Sequence, residues 1–164
     1  MKTLYLLRHA KSSWDFEDLS DHDRPLNKRG RHDAPLMGRE LASHEISPDL
    51  MVTSSAVRAL TTASLVAKEM EYDIDNIVIN EAIYEASKQD LLAIIQQTPD
   101  DINNLMLVGH NPEITELANF LAPEHIASMA TAAVVGIRFN CVAWSEISPE
   151  NATLVLYDFP KNHK

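Results

Sequence analysis

Short apolar runs alternate with longer stretches of helical periodicity along most of this chain, and the alternation limits the folds open to it. Buried strands are predicted by the apolar runs at residues 3–7, 50–53, 77–79 and 105–108. Helices are predicted at residues 56–70, from 87 onward and from 112 to about 121. Strands that alternate with helices favour a parallel sheet.

Two further apolar runs, at residues 133–139 and 152–159, predict a β-rich end of the chain, and residues 141–144 either extend the first of them or begin another strand. We therefore expect an α/β fold: a three-layer α/β/α sandwich with a mostly parallel sheet, helices on both faces and one antiparallel strand. In such sheets the ligand binds beyond the carboxyl ends of the strands, so the residues that follow each strand carry the functional argument.

Helix ends are marked by specific residues. Ser87 and Asp90 form a capping-box pattern, and Asn111 is expected as an N-cap with Pro112 at the first helical position. Residues 27–44 also have helical character but contain a proline, which lacks the backbone N–H that a helix interior needs. Two alternatives stay open there: a short turn from residue 27 with the main helix beginning near residue 33, or one helix kinked at the proline.

The composition excludes several classes of function. The chain has 164 residues, a length that suits one domain spanning 1–164. It carries 14 Lys and Arg residues and 24 Asp and Glu residues, which gives a net charge of −10. Nucleic acids and anionic membranes require a cationic face, so we expect neither as a partner. The four glycines do not have the spacing of either glycine-rich nucleotide-binding loop.

A single cysteine, Cys141, excludes an internal disulfide and a cysteine zinc cluster. The N-terminal apolar run is too short for a secretory signal and ends at Arg8, and no apolar stretch is long enough to span a membrane. We therefore expect a cytoplasmic protein, and with no extended heptad pattern we expect a monomer.

Basic side chains follow three of the predicted strands. Arg8 and His9 come after the first, Arg58 follows the second, and His110 follows the fourth. Each residue alone has an ordinary structural interpretation, as a polar strand exit, a solvated helix residue or a hydrogen-bonding partner. Because they stand at equivalent ends of three different strands, near one edge of the predicted sheet, together they favour one anion site.

These residue types suit phosphoryl chemistry. Arginine matches phosphate oxygens with a planar fork of donors and stays charged, and helix N-termini after Ser55 and Asn111 would add backbone donors. A neutral His9 is a competent nucleophile toward phosphorus, with Ala10 leaving space beside it, while a cationic second histidine would stabilise the transferring group. Gly109 would allow a tight turn into that second histidine.

The same residues resemble the motifs of a known family. The sequence Arg8-His9-Ala10-Lys-Ser resembles the Arg-His-Gly signature of the histidine phosphatase superfamily, which includes the cofactor-dependent phosphoglycerate mutases. Residues 53–63 resemble its second-arginine motif, residues 108–111 its second-histidine motif, and residues 25–30 the turn before its first long helix. These motifs occur in the family's order across at least two thirds of the chain.

Within that superfamily, the Arg-His-Ala-Lys-Ser variant, the short chain and the run at residues 23–30 resemble phosphohistidine phosphatases of the SixA type. The resemblance implies that His9 is the nucleophile and forms a phosphohistidine intermediate, with Arg8, Arg58 and His110 as the phosphate pocket. It also implies that no metal and no cofactor is required.

Two departures from the family pattern affect the prediction. Mutase-type members place an Asn phosphate contact where this chain has Asp15, and a carboxylate there would repel phosphate unless it turns away, is protonated or pairs with Lys11. We therefore do not transfer that contact. Lys11 itself is either a solvated charge or part of the pocket rim.

The second departure concerns the general acid that larger members carry in an insertion, for which this chain has no room. Glu81 and Glu85 are the nearest candidates, and Glu85, after a predicted strand end at Tyr84, is the better one; a solvent-facing or capping role is the alternative. An alcohol leaving group needs a proton, whereas an imidazole already protonated on its other nitrogen does not. A site with little general acid should favour phosphoramidates, and a chain without a lid leaves room for a protein side chain.

The function predicted from these residues is a phosphatase that hydrolyses phosphohistidine, on a signalling or phosphocarrier protein, through a covalent intermediate on His9. The alternatives are a phosphomonoesterase acting on a small phosphorylated molecule and a non-catalytic phosphate-binding module; mutase activity would require a more enclosed site.

The Asp21-His22-Asp23 and His32-Asp33 clusters contain residue types that bind metals, but loop solvation or helix capping is the simpler interpretation.

Overall fold

The computed structural model describes residues 1–122 and 124–164, which contain six strands and four α-helices. The strands are β1 Lys2–Arg8, β2 Leu50–Thr53, β3 Val78–Ile79, β4 Asn104–Gly109, β5 Val134–Phe139 and β6 Ala152–Asp158. The helices are α1 Lys28–Ser43, α2 Val57–Glu69, α3 Lys88–Gln96 and α4 Glu113–Leu121. All six predicted strands are present within one or two residues of their expected ends. Residues 141–144 add no strand; a short 3₁₀ turn begins there at Trp144.

The strands form one sheet in the order β3-β2-β4-β1-β5-β6. Strands β3, β2, β4 and β1 run parallel, and β5 is antiparallel to both β1 and β6. Five strands therefore point one way and β5 alone points the other, which confirms the mostly parallel sheet with one antiparallel strand. The register pairs Arg8 with Gly109 and Thr53 with Val108, so the carboxyl ends of β1, β2 and β4 lie side by side.

Helices cover both faces of the sheet, as the α/β/α prediction required. Alternate side chains of β1 enter two separate cores, because successive strand residues point to opposite faces. Leu4 and Leu6 pack in the core that contains residues of α3 and α4, whereas Tyr5 and Leu7 pack in the core that contains residues of α1 and α2. Both faces of the central strand are thereby excluded from water, which holds its carboxyl end in a fixed position.

Helix α1 begins at Lys28 and runs through Pro35, so the alternative in which the main helix begins near residue 33 is wrong. The Asn27 side chain caps the helix by accepting a hydrogen bond from the Gly30 N–H at 2.8 Å. Pro35 removes one backbone hydrogen bond, to the Arg31 carbonyl, at a residue that is exposed. Burial of Ala34, Met37, Gly38 and Leu41 on this helix favours the continuous form.

The expected start of α4 is also wrong. Pro112 occupies the N-cap position rather than the first helical position, and the helix begins at Glu113. The Asn111 amide instead donates to the Met129 carbonyl at 3.0 Å, and its side-chain oxygen accepts from the Thr115 hydroxyl at 2.6 Å. The capping box predicted at the start of α3 is present. No helix among the described residues is both long and apolar enough to cross a membrane.

Candidate active site

The carboxyl end of β1 places Arg8 and His9 beside the end of β4. The His9 backbone N–H donates to the Gly109 carbonyl at 3.1 Å, which continues the β1–β4 pairing past the strand. The Arg8 guanidinium donates through Nη1 to the Met129 carbonyl at 2.8 Å, while its Nε is buried without a partner among the described residues. One of its donor groups is therefore still available at this end of the sheet.

His9 is buried, with 8% of its surface exposed, and its ring orientation is fixed by its neighbour. Nδ1 lies 2.7 Å from the Ala10 carbonyl oxygen, which can only accept, so Nδ1 carries the hydrogen and the neutral ring presents its lone pair on Nε2. The pKa of His9 is lowered to about 3, mainly by burial; the Ala10 hydrogen bond opposes this shift, and the nearby His110, Arg58 and Arg8 contribute to it. The ring is therefore neutral at pH 7.

The loop after His9 is tied to helix α2. The Ala10 N–H donates to the Thr62 hydroxyl at 2.9 Å, and that hydroxyl donates to the Arg58 carbonyl at 2.7 Å. The two sequence segments that resemble the first and second arginine motifs are thus joined by one buried threonine.

His110 lies opposite His9, with 5.2 Å between the ring centroids. Its Nε2 is 2.8 Å from the Ser54 hydroxyl, and its Nδ1 is buried without a partner among the described residues. Burial, followed by the charge of Arg58, lowers the pKa of His110 to about 4. Without a bound anion this histidine is neutral at pH 7, in contrast to the cationic form considered from the sequence; a bound phosphate would raise its pKa.

The four predicted residues of the pocket line one cavity of about 250 Å³. Its lining residues are Arg8, His9, Lys11, Ser12, Trp14, Arg24, Arg58, His110, Asn111 and Thr131. We call this space the phosphate cavity. Three arginines, a lysine and two histidines line it and no carboxylate does, so its chemistry suits a small anion.

Glu85 lines a different cavity, of about 160 Å³, on the other side of Arg58 and His110. Its side chain is exposed, and among the described residues it makes no hydrogen bond or ion pair. The backbone at Glu85 is left-handed, with φ of 61°. The strand end expected at Tyr84 is wrong, because a short 3₁₀ turn, Glu81–Ile83, precedes it.

Asp21 is a central residue of the site, although the sequence indicates only loop solvation, helix capping or a metal-ligand type for it. Its carboxylate accepts from the Tyr84 hydroxyl at 2.7 Å, from Arg24 at 2.9 Å and from Arg58 at 3.0 Å. The Tyr84 hydrogen bond is the largest of the effects that hold the pKa of Asp21 well below its usual value. These contacts keep the carboxylate ionised and fix two arginines of the phosphate cavity.

Arg24 is a second residue missed from the sequence. It is buried, and it donates to the Ser13 carbonyl at 3.1 Å and to the Ser12 hydroxyl. Its guanidinium lies over the Trp14 ring, 3.4 Å from the centroid. The one signal for Arg24 in the sequence is its position in the run at residues 23–30, which resembles the corresponding run of SixA-type phosphatases.

The two charged residues that follow the nucleophile, Lys11 and Asp15, differ in position. The Asp15 side chain is exposed and lines neither cavity. Its carboxylate therefore does not repel a phosphate bound in the phosphate cavity. Lys11 is exposed but lines the phosphate cavity, which favours the pocket-rim alternative.

One group of three metal-type side chains occurs in the described part of the chain, formed by Glu40, Asp158 and His163. His163 Nε2 lies 2.7 Å from the Asp158 carboxylate, and none of the three residues lines either cavity.

Comparisons with known proteins identify the family and the fold. Residues 4–111 match the model of the histidine phosphatase superfamily (branch 1), a span that contains Arg8, His9, Arg58 and His110. An uncharacterized chloroplastic protein of Arabidopsis thaliana is 34% identical over 133 residues, which are 74% of this chain but only 59% of the relative's length.

Two solved structures share the fold over almost their whole length. A SixA protein of Agrobacterium tumefaciens, named as a candidate phosphohistidine phosphatase, has a TM-score of 0.81 and 25% identity, over 97% of this chain and 98% of that one. A tungstate complex of the protein histidine phosphatase SixA has a TM-score of 0.83 over 99% of both chains, and at 20% identity it supports the fold alone. The extent of the family match and the agreement in fold show that the chain belongs to the histidine phosphatase superfamily.

Proposed function

We propose that this chain is a phosphatase that hydrolyses phosphohistidine on a signalling or phosphocarrier protein, through a covalent intermediate on His9. The observation that carries the proposal is the neutral, buried His9 with Nε2 unprotonated, in a cavity that it shares with Arg8, Arg58 and His110. The proposal takes residues 1–164 as one domain that acts as a monomer in the cytoplasm.

In the first step, His9 Nε2 attacks the phosphorus atom of the substrate. A new N–P bond forms on His9 while the N–P bond to the substrate imidazole breaks, and the bonding electrons leave with that imidazole. A leaving ring that carries a proton on its other nitrogen departs as neutral imidazole. In the second step, water attacks the phosphorus on His9, inorganic phosphate is released, and the His9 lone pair is restored.

Two donors are available for the phosphoryl oxygens. Arg8 Nε and His110 Nδ1 are both buried and lack partners among the described residues, and a buried polar atom without a partner is costly. If the Ser54 hydroxyl donates to His110 Nε2, then Nδ1 carries the hydrogen and can donate to the phosphoryl group. Arg58 adds charge from the start of α2, where the positive end of the helix also lies.

The preference for phosphohistidine over ordinary esters depends on the acids near the site. The phosphate cavity contains no carboxyl group, and the neighbouring cavity contains those of Asp21, Glu85 and Glu113. Asp21 stays ionised, and the Tyr84 hydroxyl donates to it with a raised pKa, so neither is a good proton donor. Such a site suits an imidazole leaving group better than an alkoxide.

The experiment compares wild type with His9→Ala on free phosphohistidine, on a phosphohistidine-bearing protein and on p-nitrophenyl phosphate. We expect the variant to lose at least about a thousandfold in kcat, since removing a nucleophile removes the covalent route. Rapid quenching of the wild type should trap acid-labile phosphate on His9. A His9→Ala variant with wild-type turnover would contradict the mechanism, and the trapped phosphate would exclude a non-catalytic binding module.

The second candidate is a phosphomonoesterase for a small molecule, and the position of Glu85 beside His110 is the observation that favours it. It predicts efficient ester hydrolysis and about a hundredfold loss of it in Glu85→Gln, because an alkoxide needs the proton that Glu85 would supply. Glu81→Gln is the matched control, since Glu81 is exposed nearby and lines neither cavity. The phosphohistidine proposal predicts that Glu85→Gln affects ester hydrolysis more than phosphohistidine hydrolysis.

A further inference from the structure

Residues 13–25 leave the nucleophile segment, pass along the edge of the phosphate cavity and return; we call them the rim loop. The loop is closed at its base, where the Ser13 N–H donates to the Pro25 carbonyl at 2.8 Å and the Asn27 N–H donates to the Lys11 carbonyl at 3.0 Å. Compact surface loops whose ends lie close together are frequently functional.

The rim loop exposes large apolar side chains. Trp14 is 74% exposed, Phe16 49% and Leu19 38%. These three residues line one groove of about 310 Å³ together with Glu17, Asp21 and Arg24. Single exposed apolar residues are ordinary, but a contiguous group beside a candidate active site is typical of a binding surface.

The groove is continuous with the phosphate cavity. Trp14 and Arg24 line both spaces, and Asp21, in the wall of the groove, holds Arg58 of the cavity. This continuity gives a substrate whose phosphoryl group lies at His9 a path past Trp14 into the groove. The neighbours of the phosphorylated side chain would lie there.

The groove wall is held in place before any partner binds. Arg24 stacks on one face of Trp14 and is anchored by Ser13 and Asp21, so the indole is fixed although most of its surface is exposed. Binding to a fixed surface costs less conformational entropy than binding to a mobile one. Tryptophan is also enriched among the residues that dominate interface energetics.

Acidic side chains stand between the apolar ones. Asp15, Glu17 and Asp18 are all exposed, and no Lys or Arg lies between Trp14 and Arg24. This acidic and apolar surface is complementary to a partner surface that is basic and apolar. A second copy of the chain carries the same acidic loop and a net charge of −10, so it is repelled.

We propose that the rim loop is the docking surface for protein substrates and selects phosphohistidine side chains flanked by apolar and basic residues. This proposal rests on the proposed function and adds the recognition element and the character of the partner. The phosphate cavity holds the phosphoryl group, and Phe16, Leu19 and the acidic side chains of the loop contact the residues around it.

The test uses three peptides of equal length, each with one phosphohistidine, flanked by Leu and Lys, by Leu and Glu, or by Gly and Ser. For the wild type we expect kcat/KM to be highest for the Leu/Lys peptide, by about tenfold over the Gly/Ser peptide. The Leu/Glu peptide should be the poorest of the three. Free phosphohistidine, which is too small to reach the groove, is measured in parallel.

Two loop variants separate the apolar and the charged contributions. The double variant Phe16→Ser with Leu19→Ser should remove the gain in kcat/KM that leucine in the peptide confers. The double variant Glu17→Lys with Asp18→Lys should make kcat/KM higher for the Leu/Glu peptide than for the Leu/Lys peptide. Both variants should keep wild-type kcat/KM for free phosphohistidine. The control is Val142→Ser. Val142 is 76% exposed and follows the end of β5, which pairs with the start of β1 and so lies at the end of the sheet away from the phosphate cavity.

Equal rates for the three peptides, or a ranking that survives both loop variants, would overturn the docking proposal while leaving the proposed function intact. Variants that change only self-association in sedimentation experiments would overturn it in the same way. A wild type that hydrolyses free phosphohistidine no faster than His9→Ala would overturn the proposed function, and the docking proposal with it.

Discussion

His9 and His110 are two neutral histidines that face each other across the phosphate cavity, and their burial links the site to stability. Burial lowers the pKa of His9 from 6.5 to about 3 and that of His110 to about 4. Between these values and 6.5 the unfolded chain binds more protons than the folded chain, so the free energy of unfolding must fall as the pH falls. A neutral His9 is also the form that can attack phosphorus.

We therefore expect the unfolding midpoint in urea to decrease from pH 7 toward pH 4, and His9→Gln to flatten that decrease because it removes one of the titrating groups. His44→Gln, which changes an exposed histidine outside the site, is the matched control. A variant of His9 with the same pH slope as the wild type would show that this histidine does not contribute.

Asp21 and Asp23 lie in the same short turn but have different partners, which makes them a matched pair. Asp21 holds Arg58 and Arg24, whereas Asp23 pairs only with His22 among the described residues. We expect Asp21→Ala to lower kcat/KM for phosphohistidine by about tenfold, because two cavity arginines lose their orientation. Asp23→Ala should stay within about twofold, as is usual for an exposed pair. Equal effects of the two substitutions in steady-state assays would refute the positioning role.

At the scale of elements, the contact between the start of α1 and the nucleophile segment requires a glycine. A Cβ at Gly30 would overlap the Lys11 carbonyl oxygen, the same atom that accepts from the Asn27 N–H. We expect Gly30→Ala to destabilise the protein by about 1–3 kcal/mol and to lower kcat, because the segment from His9 to Lys11 has to shift. Thermal unfolding and turnover measure the two effects.

Gly109→Ala is the control for this prediction. The sequence predicts that Gly109 permits a tight turn, but its φ is not positive, and a Cβ there would meet side chains only at 3.5 Å or more. Its substitution should therefore cost less stability than that of Gly30. The reverse order would contradict the contact at Lys11.

For the whole molecule, a net charge of −10 surrounds a cavity lined by cationic side chains. Charged surfaces act on the encounter with a partner, and salt screens them. We expect kcat/KM for the Lys-flanked peptide to fall as ionic strength rises, whereas the Glu-flanked peptide should change little or react faster. Free phosphohistidine serves as the control without flanking charge. A strong loss of rate with salt for the Glu-flanked peptide would contradict this description of the surface.

The sequence alone predicted the architecture and four of the residues that line the phosphate cavity. The alternation of strands and helices determines that the sheet is mostly parallel, and parallel strands bring their carboxyl ends together, so Arg8, His9, Arg58 and His110 could be placed at one edge before any contact was known. The capping box at Ser87 was predictable for a similar reason, since both partners are close in sequence.

The tertiary structure alone decided the features that depend on contacts between distant segments. Asp21 meets Arg58 and Tyr84, 37 and 63 residues away, from an exposed loop without periodicity, so no local pattern could reveal it. The helix expected to begin at Pro112 starts one residue later, because Asn111 bonds to the segment that contains Met129 instead of capping α4. Local preferences give the order of elements, but side chains in irregular loops take their partners from packing across the whole fold.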